Sequence, residues 1–153
     1  MTTVSNEAKS ALAKAAGADV VVLYTEGDPV KSIRAAAPHG VQRVVEVAPS
    51  NLSLDAKVLA PRGKIMLYAS TPTDPQLPVR PFMELCATVE CMLLYMVTPA
   101  DLEAAVADVS AALSAGALTP LPFHRFTLDQ IAEAQRAVED GAVGKVILDL
   151  DAS

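Results

Sequence analysis

Tryptophan is absent from this chain of 153 residues, and aromatic side chains make up only 4% of it. The core therefore has to be built from alanine, valine and leucine. Cysteine is almost as scarce: Cys86 and Cys91 cannot make a disulfide framework, which points to a reducing compartment, the cytoplasm. Basic residues number 12 against 18 acidic ones, for a net charge of −6. Nucleic-acid binders carry a basic face, so that class is unfavoured. No apolar run reaches the roughly 18 residues that a membrane span needs. The opening segment MTTVSNEAKS lacks a basic start followed by an apolar stretch, so no signal peptide is expected.

Several catalytic motifs are missing too. The seven glycines are Gly17, Gly27, Gly40, Gly63, Gly116, Gly141 and Gly144. No two are spaced i, i+2, which excludes the glycine-rich turn that cradles a pyrophosphate. There is no Gly-x-x-x-x-Gly-Lys loop and no Gly-x-Ser-x-Gly elbow. His39 and His124 stand alone and no Cys-x-x-Cys occurs, so no metal site is expected.

What is present is an apolar, regularly punctuated chain. Half the residues are apolar and a fifth are charged, at a length that suits one domain with a real core. Ser5 or Asn6 caps a predicted helix ending near Ala16, with Ala8, Leu12 and Ala15 on one face and Gly17 closing it. Val20 to Tyr24 is continuously apolar and reads as a strand buried on both faces. Asp28 and Pro29 open a second helix to Ala37. Val41 to Val47 is a strand, Asn51 to Ala60 a short helix, Pro61-Arg62-Gly63 a turn, and Lys64 to Tyr68 a third strand. Ser70 to Pro81 is proline-rich and reads as an extended loop. Ala87 to Val97 is a fourth strand. Thr98 caps a long helix to Ala115 with a stripe of Leu102, Val106, Val109 and Leu113. Leu118 to Phe126 reads as irregular. Thr127 and Gln130 form a capping box opening a helix that carries Leu128, Ile131, Ala134 and Val138. Lys145 to Asp151 alternates, which places it outside the main sheet. Strands alternating with helices through short turns predict a parallel α/β sheet, whose ligands bind at the carboxyl ends of the strands.

In family order, the segments resemble the C-terminal part of a medium-chain dehydrogenase/reductase of the zinc-independent, zeta-crystallin-like NADPH:quinone reductase branch. TTVSNEAKSALAKAAGADVVVLYTEGD is similar to the family's second strand end, next helix and third strand. GVQRVVEVAPSNLSLDAKVLAPRGKIMLYAS resembles its fourth strand, helix and fifth strand. LPVRP with TVECMLLY resembles the dimer-contact segment and last sheet strand. PLPFHRFTLDQIAEAQRAVEDGAVGKVILDL resembles the closing helix and strand.

The resemblance implies a partial Rossmann-like parallel sheet over residues 1–98 that lacks its glycine-rich first strand. Residues 99–153 would be the C-terminal helices and strand that in the family pack on a catalytic domain. It implies an NADPH cofactor, with Ser5, Asn6 and Lys9 receiving the 2′-phosphate and Tyr24 beside them. A hydroxyl, an amide and a cation at a helix start suit a phosphate, where an NAD enzyme would place an acid. It further implies backbone contacts to the cofactor from Ala48 and Pro49 with Ser50, from Ala69 and Ser70 with Thr71, and from Leu94 and Tyr95. The acceptor would be a quinone or enone, the assembly a homo-oligomer through Leu77 to Tyr95, and the chain a fragment or remnant with weak intrinsic activity. A non-catalytic α/β module for dimerisation or for a partner subunit is the alternative. An unrelated Rossmann-like methyltransferase is a third reading, against which the missing glycine loop counts equally.

Overall fold

The computed structural model describes residues 1–71 and 73–150. Strand β1 (Thr2–Val4) leads into helix α1 (Glu7–Ala15). Asn6 caps that helix, its side-chain oxygen accepting the Lys9 backbone N–H at 2.9 Å. Strand β2 (Val21–Leu23) pairs parallel with β1. Asp28 caps helix α2 (Pro29–Ala36), accepting from the N–H groups of Val30 and Lys31, with Pro29 in the first turn. Strand β3 (Val41–Glu46) follows, then a single 3-10 turn over Pro49–Asn51, helix α3 (Leu52–Val58) and strand β4 (Leu59–Leu67). Helix α4 (Val79–Leu85) and strand β5 (Thr88–Cys91) complete this half. The other half holds helix α5 (Pro99–Ser114), strand β6 (Phe123–Thr127), helix α6 (Ile131–Glu139) and strand β7 (Lys145–Asp149).

All ladders are parallel, and the helices between paired strands supply the crossovers that parallel pairing requires. Among the described residues the strands form three separate sheets: β1-β2, β3-β4-β5 and β6-β7. The parallel α/β expectation holds, and the last strand does lie outside the main sheet, paired with β6. Leu52, Ala56, Leu59, Ile65, Leu67 and Phe82 form the main core, with Leu59 and Ile65 wholly buried. Val22, Ile33 and Val58 form a second cluster, which joins β2, α2 and α3.

The structure departs from the sequence reading at several points. Pro61-Arg62-Gly63 lies within β4: the β3–β4 register jumps from Val41↔Leu59 to Arg43↔Lys64, and Arg62 takes a positive φ of 60° in the resulting bulge. The fourth strand ends at Cys91 instead of Val97, because β5 pairs only with Lys64–Leu67 and loses its ladder where β4 ends. Helix α4 interrupts the expected proline-rich loop, held by Phe82 in the core, with Pro81 tolerated in its first turn. The segment expected to be irregular contains β6, satisfied by its pairing with β7. Only Val22 is buried in β2, because a two-stranded sheet leaves its neighbours uncovered. In α1 the buried residue is Ser10, whereas Ala8 and Ala15 are exposed. The α5 stripe Leu102, Val106, Val109 and Leu113 is exposed, and no residue of that helix is buried. Leu128, Ile131 and Val138 of the last helical segment are exposed too, leaving Ala134 as its buried residue. Asp151 lies outside the described residues.

Candidate functional site

An open cleft of about 1290 Å³ runs along the free edges of β1 and β3. Its floor comes from α2 and α3 and includes Ile33, Leu54, Asp55 and Val58. Of the sequence-derived candidates, Ser5, Lys9, Tyr24 and Ala48 all line this cleft. They sit immediately past the carboxyl ends of β1, β2 and β3, where a parallel sheet places ligands.

The corner around Lys9 has defined chemistry. Asn6 spends its side-chain oxygen on the helix cap, and Lys9 is half-buried on the first turn. Among the described residues the Lys9 ammonium makes no ion pair; those present are Lys64–Glu90, Arg80–Glu84 and Arg125–Asp149. The backbone of Ser5 is tied to β2's end by the Thr25 hydroxyl, which donates to its carbonyl at 3.1 Å. A cation, a hydroxyl and the positive end of a nine-residue helix thus face one space.

The remaining candidates lie elsewhere. Pro49 is buried in the 3-10 turn after β3 and is not part of the lining. Ala69 and Ser70 are exposed beyond Tyr68, outside the cleft. Leu94 and Tyr95 do not end a strand: they form an exposed 3-10 turn away from the cleft, with Tyr95 90% exposed. That turn forms because β4 offers no further ladder partner past Leu67.

Sequence reasoning missed an acidic pair in the cleft. Glu46 ends β3 and is buried; its carboxylate accepts the Ala48 backbone N–H at 2.7 Å, with the Asn51 amide 3.5 Å away. Asp55 on α3 is only 3% exposed, and its Oδ2 has no hydrogen-bond partner. Burial first, and then the neighbouring Glu46 carboxylate, push Asp55 up to about 7 from an ordinary 3.8. The signal was present in the sequence as single acids inside the apolar runs around Val45 and Leu54. Tyr68 also lines the cleft and was read only as the end of a strand. Among the described residues no three His, Cys, Asp or Glu side chains gather as metal ligands. No helix among them is long and apolar enough to cross a membrane.

Comparison with known proteins agrees with this architecture. The chain is similar in fold to the benzyl alcohol dehydrogenase of Acinetobacter calcoaceticus (TM-score 0.80, 21% identity, 97% of this chain and 41% of that one). It is similar to the quinone oxidoreductase of Pseudomonas syringae pv. Tomato DC3000 (TM-score 0.80, 20% identity, 97% and 48%). The alcohol dehydrogenase zinc-binding domain protein of Burkholderia ambifaria gives a TM-score of 0.81 at 22% identity, over 98% and 41%. The chain thus spans less than half the length of each of these structures. No curated protein matches it. The zinc-binding dehydrogenase family matches residues 1–111, most of the chain. This chain belongs to the zinc-binding dehydrogenase family, within the medium-chain dehydrogenase/reductases.

Proposed function

We propose that this chain forms the nucleotide-facing part of a cytoplasmic, zinc-independent, NADPH-dependent oxidoreductase that reduces a quinone or enone by hydride transfer. The supporting observation is the convergence of Ser5, Lys9 and Tyr24 on one cleft at the carboxyl ends of β1 and β2. The residues fit a 2′-phosphate: Lys9 supplies a cation with no ion-pair partner among the described residues, Ser5 a hydroxyl and α1 its N-terminal N–H groups. Glu7 in the same turn opposes that charge and keeps the affinity modest. When bound, NADPH supplies the hydride; the protein's task is to hold and orient it. Ala48, with no bulky side chain, lets the β3 end approach a ligand closely. The glycine-rich cradle for a pyrophosphate is not in this sequence.

The expected outcome is therefore weak binding with a preference for NADPH over NADH. Losing several charge-assisted hydrogen bonds, at about 1.5–3 kcal/mol each, moves a micromolar site toward millimolar. Calorimetric or fluorescence titration of both cofactors tests this, with Lys9→Glu expected to erase the preference. Tight NADH binding unchanged by Lys9→Glu would overturn the reading. The alternative, a non-catalytic module that works through association, is favoured by one observation: the exposed apolar run of Leu77, Val79, Met83 and Leu93 to Met96. The same run supports a homo-oligomer joined through Leu77 to Tyr95.

A further inference from the structure

We propose that the amino end of the β3–β4 ladder is a basic docking face for helix α5 of a second copy of this chain. Half of the 12 lysines and arginines fall between Lys31 and Lys64, in a chain whose net charge is −6. From Pro29 to Tyr68 the only acids are Glu46 and Asp55, and both are buried. The surface of this stretch is therefore basic throughout. Its cations are gathered in space as well as in sequence. Arg43 and Lys64 are register partners on adjacent strands, so their side chains leave the same face of the sheet about 4.8 Å apart. Arg62 stands two residues before Lys64, in the bulge. Arg34 donates from Nε to the Lys57 carbonyl at 2.9 Å, which ties the end of α2 to the end of α3 and holds Lys57 at the start of β4.

Two of these placements cost stability in a chain standing alone. Like charges on neighbouring strands repel, and only Lys64 has a counterion, Glu90 at 3.8 Å. Arg43, Lys57 and Arg62 make no ion pair among the described residues. Arg62 holds a φ of 60°, a left-handed backbone that suits glycine better than a residue with a Cβ. The α3 dipole accounts for Lys57 in its last turn, but not for Arg43, Arg62 and Lys64. An acidic surface laid across them supplies the missing counter-charge. Helix α5 has it: Asp101, Glu103 and Asp108 are all exposed, and the helix carries no lysine, arginine or histidine. Asp101 and Asp108 share one flank, two turns and about 10 Å apart. The contact joins two different surfaces, so it is heterologous and runs head to tail. An extended polyanion such as nucleic acid fits less well, because it also meets the rest of an acidic chain.

The contact involves neither Lys9 nor the segment Leu77 to Tyr95. It is tested in a background of Met83→Ser with Tyr95→Ser, which removes apolar contact there without adding charge. Sedimentation at high micromolar concentration should still show self-association. Arg43→Glu with Arg62→Glu should weaken it at least tenfold. Asp101→Lys with Asp108→Lys should weaken it as much, although that pair moves the net charge from −6 toward zero and relieves general repulsion. Mixing the two variants should restore association to within about threefold of the parent, because a reversed patch then meets a reversed α5. All four side chains are exposed, so circular dichroism should show the fold unchanged. A monomeric parent, tighter association after the α5 change, or a mixture that stays apart overturns the proposal. So does association lost on reversing the patch but kept on reversing α5, which assigns the patch to another acidic surface.

Discussion

Asp55 sets a pH dependence for the whole chain. Its carboxyl is pushed up to about 7 in the folded state by burial and by Glu46, from an ordinary 3.8. The folded chain therefore holds that proton more tightly than the unfolded chain. Below about pH 4 both states are protonated and Asp55 costs nothing. Between pH 4 and 7 the unfolded state ionises first, so stability falls as pH rises. Above pH 7 the cost is complete, about 4 kcal/mol by linkage. Asp55→Asn removes the titration while keeping the shape. Its thermal midpoint should pull ahead of the parent's by several degrees between pH 4 and pH 8, as scanning calorimetry would show. A gap constant with pH would show that the carboxyl is not held neutral.

At the scale of elements, local signals and packing agree at the helix starts and part company at the strand ends. The caps Asn6, Asp28 and Thr98 and the box of Thr127 and Gln130 are all formed, each by a side chain within three residues of its partner. Gly40 shows the opposite case. It joins α2 to β3 at a φ of 86°, and a Cβ there would lie 2.7 Å from the Ala60 backbone nitrogen. Neither the left-handed backbone nor the close approach suits a larger residue. Gly40→Ala should therefore cost about 2–4 kcal/mol, the sum of the left-handed penalty and a displaced β4. Denaturant unfolding measures it. Gly27→Ala, where no atom lies within 4 Å of the new Cβ, should cost only the conformational part and serves as the control.

For the molecule as a whole, the surface is the dominant fact. Much of the apolar surface that a compact chain would bury is open here, including the α5 stripe and the residues around Tyr95. Strand β5 is the outer strand of its sheet, and Leu77, Val79 and Met83 lie on the segment before it. This arrangement predicts self-association through Leu77 to Tyr95, by edge pairing and apolar contact. Sedimentation at high micromolar concentration should show dimers, and Tyr95→Lys with Met83→Lys should weaken them at least tenfold. A clean monomer at that concentration would contradict the prediction. At high dilution the freed surfaces should bind hydrophobic dyes and melt with low cooperativity.

The sequence by itself determined the parallel α/β class, the helix starts and the approximate place of most elements. These follow from periodicity and capping, which act over three or four residues and are written locally. It also put Ser5, Lys9 and Tyr24 at one corner and Ala48 at the same end of the sheet, because the strands of a parallel sheet end on the same side. Tertiary structure alone decided where β4 begins and β5 stops, since a strand's length depends on its neighbour's ladder. It decided that α4 forms inside a proline-rich segment, because Phe82 finds the core. It also decided that β1 and β3 stand apart with their edges open and that Asp55 is buried beside Glu46. Edge pairing and burial are set by residues far apart in the chain, and no local pattern carries them.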